Sequence, residues 1–551
     1  MKHTSNDVLR NITSDYLSNL DVTNPPDPAT IEQDILMETA KQFELSNSVQ
    51  PKGAKWRIPT KLNAIQVAKI MLHLYPIKCI STAGVSADKS YDLLAIYQTS
   101  GRDEGIYVTD DDVFKRIMLQ YNFTMSPKEM SDCLALLKIE AEHTGRTTDQ
   151  DLIAVNNGIF NYETKQLMPF SPDYVFMSKS RVDYNPSAKN VTIHNNNDGT
   201  DWDVESWMAS LSDDPEIVNV LWEILGAIIR PFVSWNKSAW FYSEKGNNGK
   251  GTLCELMREL CGENSYASIP LSDMGTDFLL EPLIRASAII VDENDVGTYI
   301  DKAANLKSII TNDVIQINRK FKDPIAYKFY GFMVQCLNEM PRIKDKSDSF
   351  FRRQLFIPFL KNFTGSERKY IKKDYLHRKE VLEYVMFKIL NMNYYDLSEP
   401  EACKVALEEY KEYNDPVLQF AREVIPECKW NLLPFNFLYE LYKAWSDKTK
   451  PSGTLVSRNK FIEDLCRIFD GSPDWECFKN NKRKLGGRHM SKPEPLIAQY
   501  KLEGWLNPES KRGDPLTYQC SLPAAKLNMQ YRGLFYKGDR DADAADTNNT
   551  N

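Results

Sequence analysis

Residues Trp240 to Met257 read WFYSEKGNNGKGTLCELM. Ala239–Tyr242 is an apolar, aromatic run that predicts a buried strand. Lys245-Gly246-Asn247-Asn248-Gly249 follows as a turn whose glycines let backbone amides converge. Thr252, Leu253, Leu256, Met257 and Leu260 then recur at helical spacing. A strand that feeds a helix through a glycine loop commits this stretch to a layered α/β arrangement. It also aims free N–H groups and a helix N-terminus at one spot, which suits phosphate oxygens.

Lys250 would reach the outer phosphates of a nucleoside triphosphate. Gly246, Asn247, Asn248, Gly249, Lys250, Gly251 and Thr252 are therefore the expected nucleotide contacts. The strict spacing GxxxxGK[ST] is not met: Glu244 stands in the first glycine's place and Gly251 in the hydroxyl's. Thr252 is then the hydroxyl for a magnesium ion, and Gly246 supplies the flexibility that Glu244 lacks. The plain alternative is a strand–helix turn that ends in a surface lysine.

Two later stretches complete such a site. Ala288–Val291 is a buried-strand run that ends in Asp292 and Glu293, one carboxylate for magnesium and one to polarise the attacking water. Phe332–Leu337 is another, and it ends in Asn338, a polar group for orienting that water. Arg352 and Arg353 precede a further strand. Either fits an arginine finger on a neighbouring subunit's nucleotide; the alternative is a surface salt bridge.

The remainder divides as follows. Residues 1–55 are polar, broken at Asn24-Pro25-Pro26-Asp27-Pro28, and read as an adaptable arm with one helix near 30–44. Residues 56–190 read as a small α+β domain, with a hairpin turning at Asn156-Asn157-Gly158. Residues 191–236 read as a helical collar, 237–365 as the α/β core and 366–412 as a charged helical segment. Residues 413–536 form a last small domain, and 537–551 a disordered polar tail. No apolar run is long enough for a membrane span, and the N-terminus lacks the apolar stretch of a signal peptide. The ten cysteines are scattered singly, which argues against disulfide scaffolds and zinc ribbons and for reduced, buried thiols in a cytoplasmic protein. The net charge of −8 disfavours a general coat of nucleic acid, so positive charge has to be sought locally.

In order, GNNGKGT, IIVDE, LKSIITNDVIQINRKFKDP, QCLNEMP and DSFFRRQLFIPF resemble superfamily 3 helicases, and within them the phage, plasmid and poxvirus primase-helicase group. The resemblance is strong over about 200–360 and extends upstream through NGIFNYETKQLMPFSPDYVFMSKSRVDYNP. It implies an AAA+-like core that assembles as a ring, commonly a hexamer, and moves along single-stranded DNA by hydrolysing ATP with Mg2+. Lys250 and Thr252 match the first motif, Asp292 and Glu293 the second, Asn338 the sensor and Arg352 or Arg353 the finger.

Val314–Ile317 and Ala326–Tyr330 predict strands around Asn318-Arg319-Lys320-Phe321-Lys322-Asp323. In the family this hairpin enters the channel, which marks Arg319, Lys320, Phe321 and Lys322 for DNA; the bland reading is a solvated β-turn. In the last domain, helices over Leu438–Trp445 and Arg458–Phe469 precede a basic stretch with Lys482, Arg483, Lys484 and Arg488. That order is consistent with a winged helix on duplex DNA, and so with recognition of a replication origin. Residues 1–190 hold no zinc module and no polymerase-type carboxylate cluster, so a separate primase is expected. The cellular setting implied is a bacterial host's cytoplasm. The rival readings are a P-loop nucleotide kinase with an adenylate-kinase-like GKGT loop, and a non-enzymatic origin-binding protein that uses the loop only to assemble.

Overall fold

A computed structural model describes residues 4–84, 89–320, 322–449, 455–478, 484–485, 489–490, 492–506 and 529–538. The chain forms two compact units, Met1–Pro341 with Arg352–Lys404, and Arg342–Phe351 with Val405–Asn551. The second unit thus takes in ten residues from inside the stretch read as the core, and the boundary expected at 413 falls earlier, after Lys404.

The first unit begins with α1 (Ser5–Ser18), α2 (Pro28–Ser48), α3 (Ala64–Leu74), β1 (Ile77–Ser81), β2 (Leu93–Tyr97), β3 (Tyr107–Val108), α4 (Asp111–Tyr121), α5 (Pro127–Glu140) and β4 (Glu142–Gly145). The strands form one sheet in the order β3-β2-β1-β4, with β1 and β4 parallel. Where the sequence reading has an adaptable arm, there are two helices. Pro28, which blocks continuation of a preceding helix, is the first residue of α2, and the Asp27 side chain accepts from Ala29 and Thr30 N–H. Leu17 of α1 and Ile31 and Ile35 of α2 share a core with Val67 and Met71 of α3 and Phe114 of α4.

The linking region holds β5 (Leu152–Val155), β6 (Gly158–Asn161) and β7 (Gln166–Met168), then β8 (Ile193–Asn195), β9 (Thr200–Trp202), α6 (Val204–Ser210) and α7 (Pro215–Ile229). The β5–β6 hairpin turns at Asn156-Asn157, as expected. The stretch read as a helical collar opens instead with the β8–β9 hairpin. Nor is α7 a surface ring helix: it is buried almost all round, which makes it a core element.

The core runs β10 (Ser238–Tyr242), α8 (Lys250–Cys261), β11 (Tyr266–Ala267), β12 (Ala288–Val291), β13 (Tyr299–Ile300), α9 (Ala304–Ile310), β14 (Val314–Arg319), β15 (Lys322–Lys328) and β16 (Phe332–Leu337). After β17 (Arg342–Ile343) and α10 (Asp348–Phe351), both in the second unit, it resumes with β18 (Gln354–Pro358), α11 (Lys369–Lys373) and α12 (Lys379–Asn391). Five strands form a sheet in the order β11-β12-β16-β10-β18, parallel at every pairing. All the residues of β12 and β16 are buried, so these strands read as near-continuous apolar runs, interrupted in β16 by Gln335.

Beyond α13 (Glu401–Asn414), the second unit contains α14 (Pro416–Glu423), β19 (Leu432–Pro434), α15 (Phe435–Thr449), α16 (Arg458–Ile468), β20 (Trp475–Cys477), β21 (Lys484–Leu485), α17 (Pro495–Gln499), β22 (Gln530–Tyr531) and β23 (Gly533–Tyr536). Its three-stranded sheet has the order β19-β23-β20, antiparallel throughout. Phe420, Trp430, Leu438, Tyr442, Trp445 and Phe461 build its core. Cys466 of α16 is joined to Cys477 of β20, with Cα atoms 5.6 Å apart, contrary to the expectation of reduced thiols throughout. The two cysteines are eleven residues apart, and the chain turns back between α16 and β20 to bring them together.

Candidate functional site

The glycine loop leaves β10 and enters α8 at the C-terminal edge of the parallel sheet. Two of its residues lie in the left-handed region, Asn247 with φ +54° and Gly249 with φ +89°. Gly249 is the N-cap of α8 and, having no side chain, makes no capping bond of its own. A Cβ on Gly249 would stand 2.6 Å from Leu211 Cδ2, whereas one on Gly246 would meet nothing within 4 Å. The loop thus needs glycine at 249, whereas neither a close approach nor a positive φ requires one at 246. Asn248 is buried: its Oδ1 accepts from Lys250 N–H at 3.2 Å and its Nδ2 donates to Lys245 O. Asn247 is tied outward, donating to Glu367 Oε1 at 3.0 Å.

Lys250 is buried, with its ammonium donating to Leu337 O at 2.6 Å, Asn338 Oδ1 at 3.0 Å and Ser243 O at 3.3 Å. Among the described residues no carboxylate forms an ion pair with it. Burial pulls its pKa below that of an ordinary lysine. A buried cation without an acid partner among the described residues, beside the N-terminus of α8, fits an anionic phosphate as its counter-charge.

Strand register brings the other residues near. Tyr242 is level with Leu337 and Val291 with Gln335. Asn338 therefore leaves β16 beside Ser243, while Asp292 and Glu293 leave β12 on the far side of β16. Both carboxylates are exposed, and Asp292 Oδ2 accepts from Arg258 of α8 at 3.1 Å. An exposed carboxylate held in place by an arginine, with the Thr252 hydroxyl at the first turn of α8, offers the hard oxygen donors that suit Mg2+.

Arg352 and Arg353 are not at this edge. They precede Gln354, which is level with Ser238 at the opposite, N-terminal end of β10, and Arg353 O accepts from Ser238 N–H at 2.8 Å. Arg352 is exposed and Arg353 half-buried.

Other neighbours of the loop escape sequence reasoning. A cavity of about 550 Å³ at the start of α8 is walled by Trp207, Leu211, Thr252, Phe363 and Ile371. Lys372 Nζ lies 3.8 Å from where a Cβ on Gly251 would stand, a second lysine at the phosphate loop. Beneath the carboxylates, buried Asn294 donates to Gln335 Oε1 and Cys336 O, and accepts from Leu271 N–H. Its position directly after the two carboxylates is the one sequence signal among these.

The predicted hairpin forms from β14 and β15, in register from Val314↔Lys328 to Arg319↔Lys322, with an irregularity between Ile317 and Arg319. Lys320 is at its exposed tip. Phe321 lies outside the described residues. Arg319 folds back on Asp323 O, with Nε at 3.0 Å, and Lys322 Nζ is 3.3 Å from Asp111 Oδ2. In the second unit Lys484 Nζ sits 4.3 Å from the Phe535 ring centroid, packed on an aromatic face. Lys482, Arg483 and Arg488 lie outside the described residues.

Three sequence families match separate stretches of the chain: a family of unknown function, DUF5906, over residues 241–353, the D5 N terminal like family over 49–213, and the poxvirus D5 protein-like family over 412–507. D5-type sequence thus lies on both sides of the parallel-sheet core. Among solved structures, the A-form apo structure of the NrS-1 C-terminal region (305–718) is similar at 14% identity over 74% of this chain and 88% of that one, with a TM-score of 0.39. Another apo structure of that region gives 13% identity over 76% and 97%, with a TM-score of 0.40. No helix among the described residues is long and apolar enough to cross a membrane.

Proposed function

We propose that this protein is an ATP-driven replicative DNA helicase with an AAA+-like core, one that forms a ring, commonly a hexamer, and translocates on single-stranded DNA. The observation that carries the reading is the placing of the glycine loop with Lys250, the Asp292–Glu293 pair and Asn338 at one edge of three consecutive parallel strands. D5-type matches on both sides support a place among primase-helicases.

In this reading, bound ATP with Mg2+ supplies the phosphoanhydride whose cleavage drives movement. The loop amides and Lys250 bind phosphate oxygens, and Lys372 adds charge beside Gly251. Thr252 and Asp292 hold the cation, with Arg258 orienting Asp292. Glu293 takes the proton of the attacking water, and Asn338 orients that water. The cavity next to Thr252, where Trp207 and Phe363 stand among charged residues such as Arg368 and Lys372, accommodates the nucleoside. Arg352, exposed at the opposite edge, serves a neighbour's nucleotide across a ring interface. The hairpin tip, with Arg319, Lys320, Phe321 and Lys322, grips the DNA backbone. In the second unit, the order of α14, β19, α15, α16, β20 and β23 fits a winged helix for duplex DNA at an origin, with a separate primase as partner and a bacterial host's cytoplasm as the setting.

The test is ATP hydrolysis with and without single-stranded DNA, for the unmodified protein and for Lys250→Ala. DNA-stimulated turnover that the variant loses is the expected result. Turnover indifferent to DNA with phosphoryl transfer to a nucleoside monophosphate would favour a kinase. ATP-dependent assembly without turnover would favour a non-enzymatic origin-binding protein.

A further inference from the structure

β1 and β4 lie parallel, with Ser81 level with Gly145. Thr82 and Arg146 are the next residues on each, so the sheet ends on the two side by side. Both run on to the hairpin. Thr82 is buried; its carbonyl accepts from Lys328 N–H at 2.8 Å and its hydroxyl donates to Ala326 O at 2.6 Å. Arg146 donates to Tyr327 Oη at 3.0 Å, to Lys328 O at 2.5 Å and to Thr82 O at 3.3 Å. Its guanidinium carbon is 4.9 Å from the Tyr327 ring centroid and 4.7 Å from that of Tyr330. Among the described residues no carboxylate forms an ion pair with Arg146, so the hairpin's carbonyl and rings receive its charge. Tyr327 is itself buried and donates to Ile284 O in the core. The base of the hairpin is thus bonded to the N-terminal sheet through main chain, hydroxyl and guanidinium together.

We propose that Arg146 and Thr82 are positioning residues that fix the DNA hairpin to the N-terminal domain, so that domain and hairpin move as one body and the sheet bears the load on the tip. This rests on reading the hairpin as the DNA grip. Neither residue is at the nucleotide site, so ATP turnover without DNA should not depend on them. Coupling should, because a grip displaced by about 1 Å can cost up to roughly a hundredfold in a positioned step.

The experiment uses the full chain, a poly-dT oligonucleotide and a forked duplex, with ATP consumed per base pair unwound as the readout. Arg146→Ala is expected to keep basal turnover and to raise ATP consumed per base pair about tenfold or more. Arg146→Lys is expected to recover only part of this, because it keeps the charge and loses the planar fork. Thr82→Val removes one hydroxyl bond at near-constant volume; it is expected to shift the same ratio less, and it decides the matter if Arg146→Ala does not fold. Normal DNA stimulation in the unmodified protein with unchanged coupling in the variants would overturn the positioning role alone. No stimulation by poly-dT in the unmodified protein would overturn the DNA reading, and this inference with it.

Discussion

Gly246 and Gly249 are both glycines of the phosphate-loop stretch, and the structure gives them different parts. Gly249 sits at φ +89°, and its Cβ position is 2.6 Å from Leu211 Cδ2; Gly246 has open space around it and no positive φ. Alanine at 249 would pay about 1–3 kcal/mol of left-handed backbone strain as long as the loop keeps its shape. The Leu211 contact adds to this by an amount set by how far that side chain can yield. The loop relieves the strain by leaving the nucleotide-ready shape, so the cost appears as lost affinity. At about 1.4 kcal/mol per factor of ten, that is a roughly 5- to 150-fold weaker dissociation constant for ATP. Gly246→Ala should stay within about twofold, like other exposed substitutions worth less than roughly 0.5 kcal/mol. Titration calorimetry with a non-hydrolysable ATP analogue measures both, and thermal unfolding without nucleotide checks that the folds are intact. Equal affinities for the two variants would refute the reasoning, because the loop would then not be using the left-handed residue to shape its anion site.

The other expected outcomes can be put briefly. Glu293→Gln should bind ATP like the unmodified protein but hydrolyse it about 100-fold or more slowly in single-turnover assays, as suits loss of a general base. Lys320→Ala should keep basal hydrolysis and lose both DNA stimulation and strand displacement; full unwinding would remove the hairpin tip from the mechanism. Burial pushes the Glu494 carboxyl above its ordinary 4.5, although Lys429 and Trp430 N–H groups donate to it. Its folded-state pKa exceeds the unfolded one, so the domain's stability should fall as pH rises from the unfolded value through the folded one. Denaturant unfolding followed by Trp430 fluorescence should show that fall, and Glu494→Gln should flatten it.

How much was legible depends on whether a signal is local in the chain. The β10–loop–α8 unit, the Asp292–Glu293 strand end and Asn338 are each written into a few consecutive residues and fall where the sequence puts them; the hairpin also forms, but its strands run on to Arg319 and from Lys322, so its turn is tighter than the expected stretch 318–323. Pro28 misleads because proline both stops one helix and starts the next; the deciding detail is Asp27 accepting from the next turn. Residues 191–236 look like a collar because helical periodicity does not say what lies opposite, and the structure sets α7 in the core. Lys372, Phe363 and the Thr82–Arg146 pair were illegible, since sheet register and packing bring them to their partners from more than a hundred residues away.

The placing of Arg352 carries the argument for assembly. β10 and β18 are parallel and in register from Ser238↔Gln354 to Tyr242↔Pro358, so the arginines and the phosphate loop stand at opposite ends of the same paired strands. Five residues of strand at about 3.3 Å each put roughly 16 Å between those ends, beyond the reach of an arginine side chain. If Arg352 acts on a nucleotide at all, it acts on another subunit's. Arg352→Ala mixed with Glu293→Gln then gives a clear expectation. Each variant alone is inactive, and a mixed ring recovers turnover at those interfaces where an intact Arg352 faces an intact Glu293. No recovery at any mixing ratio, with mixed assembly verified by differently tagged chains, would remove the arginine from the catalytic cycle.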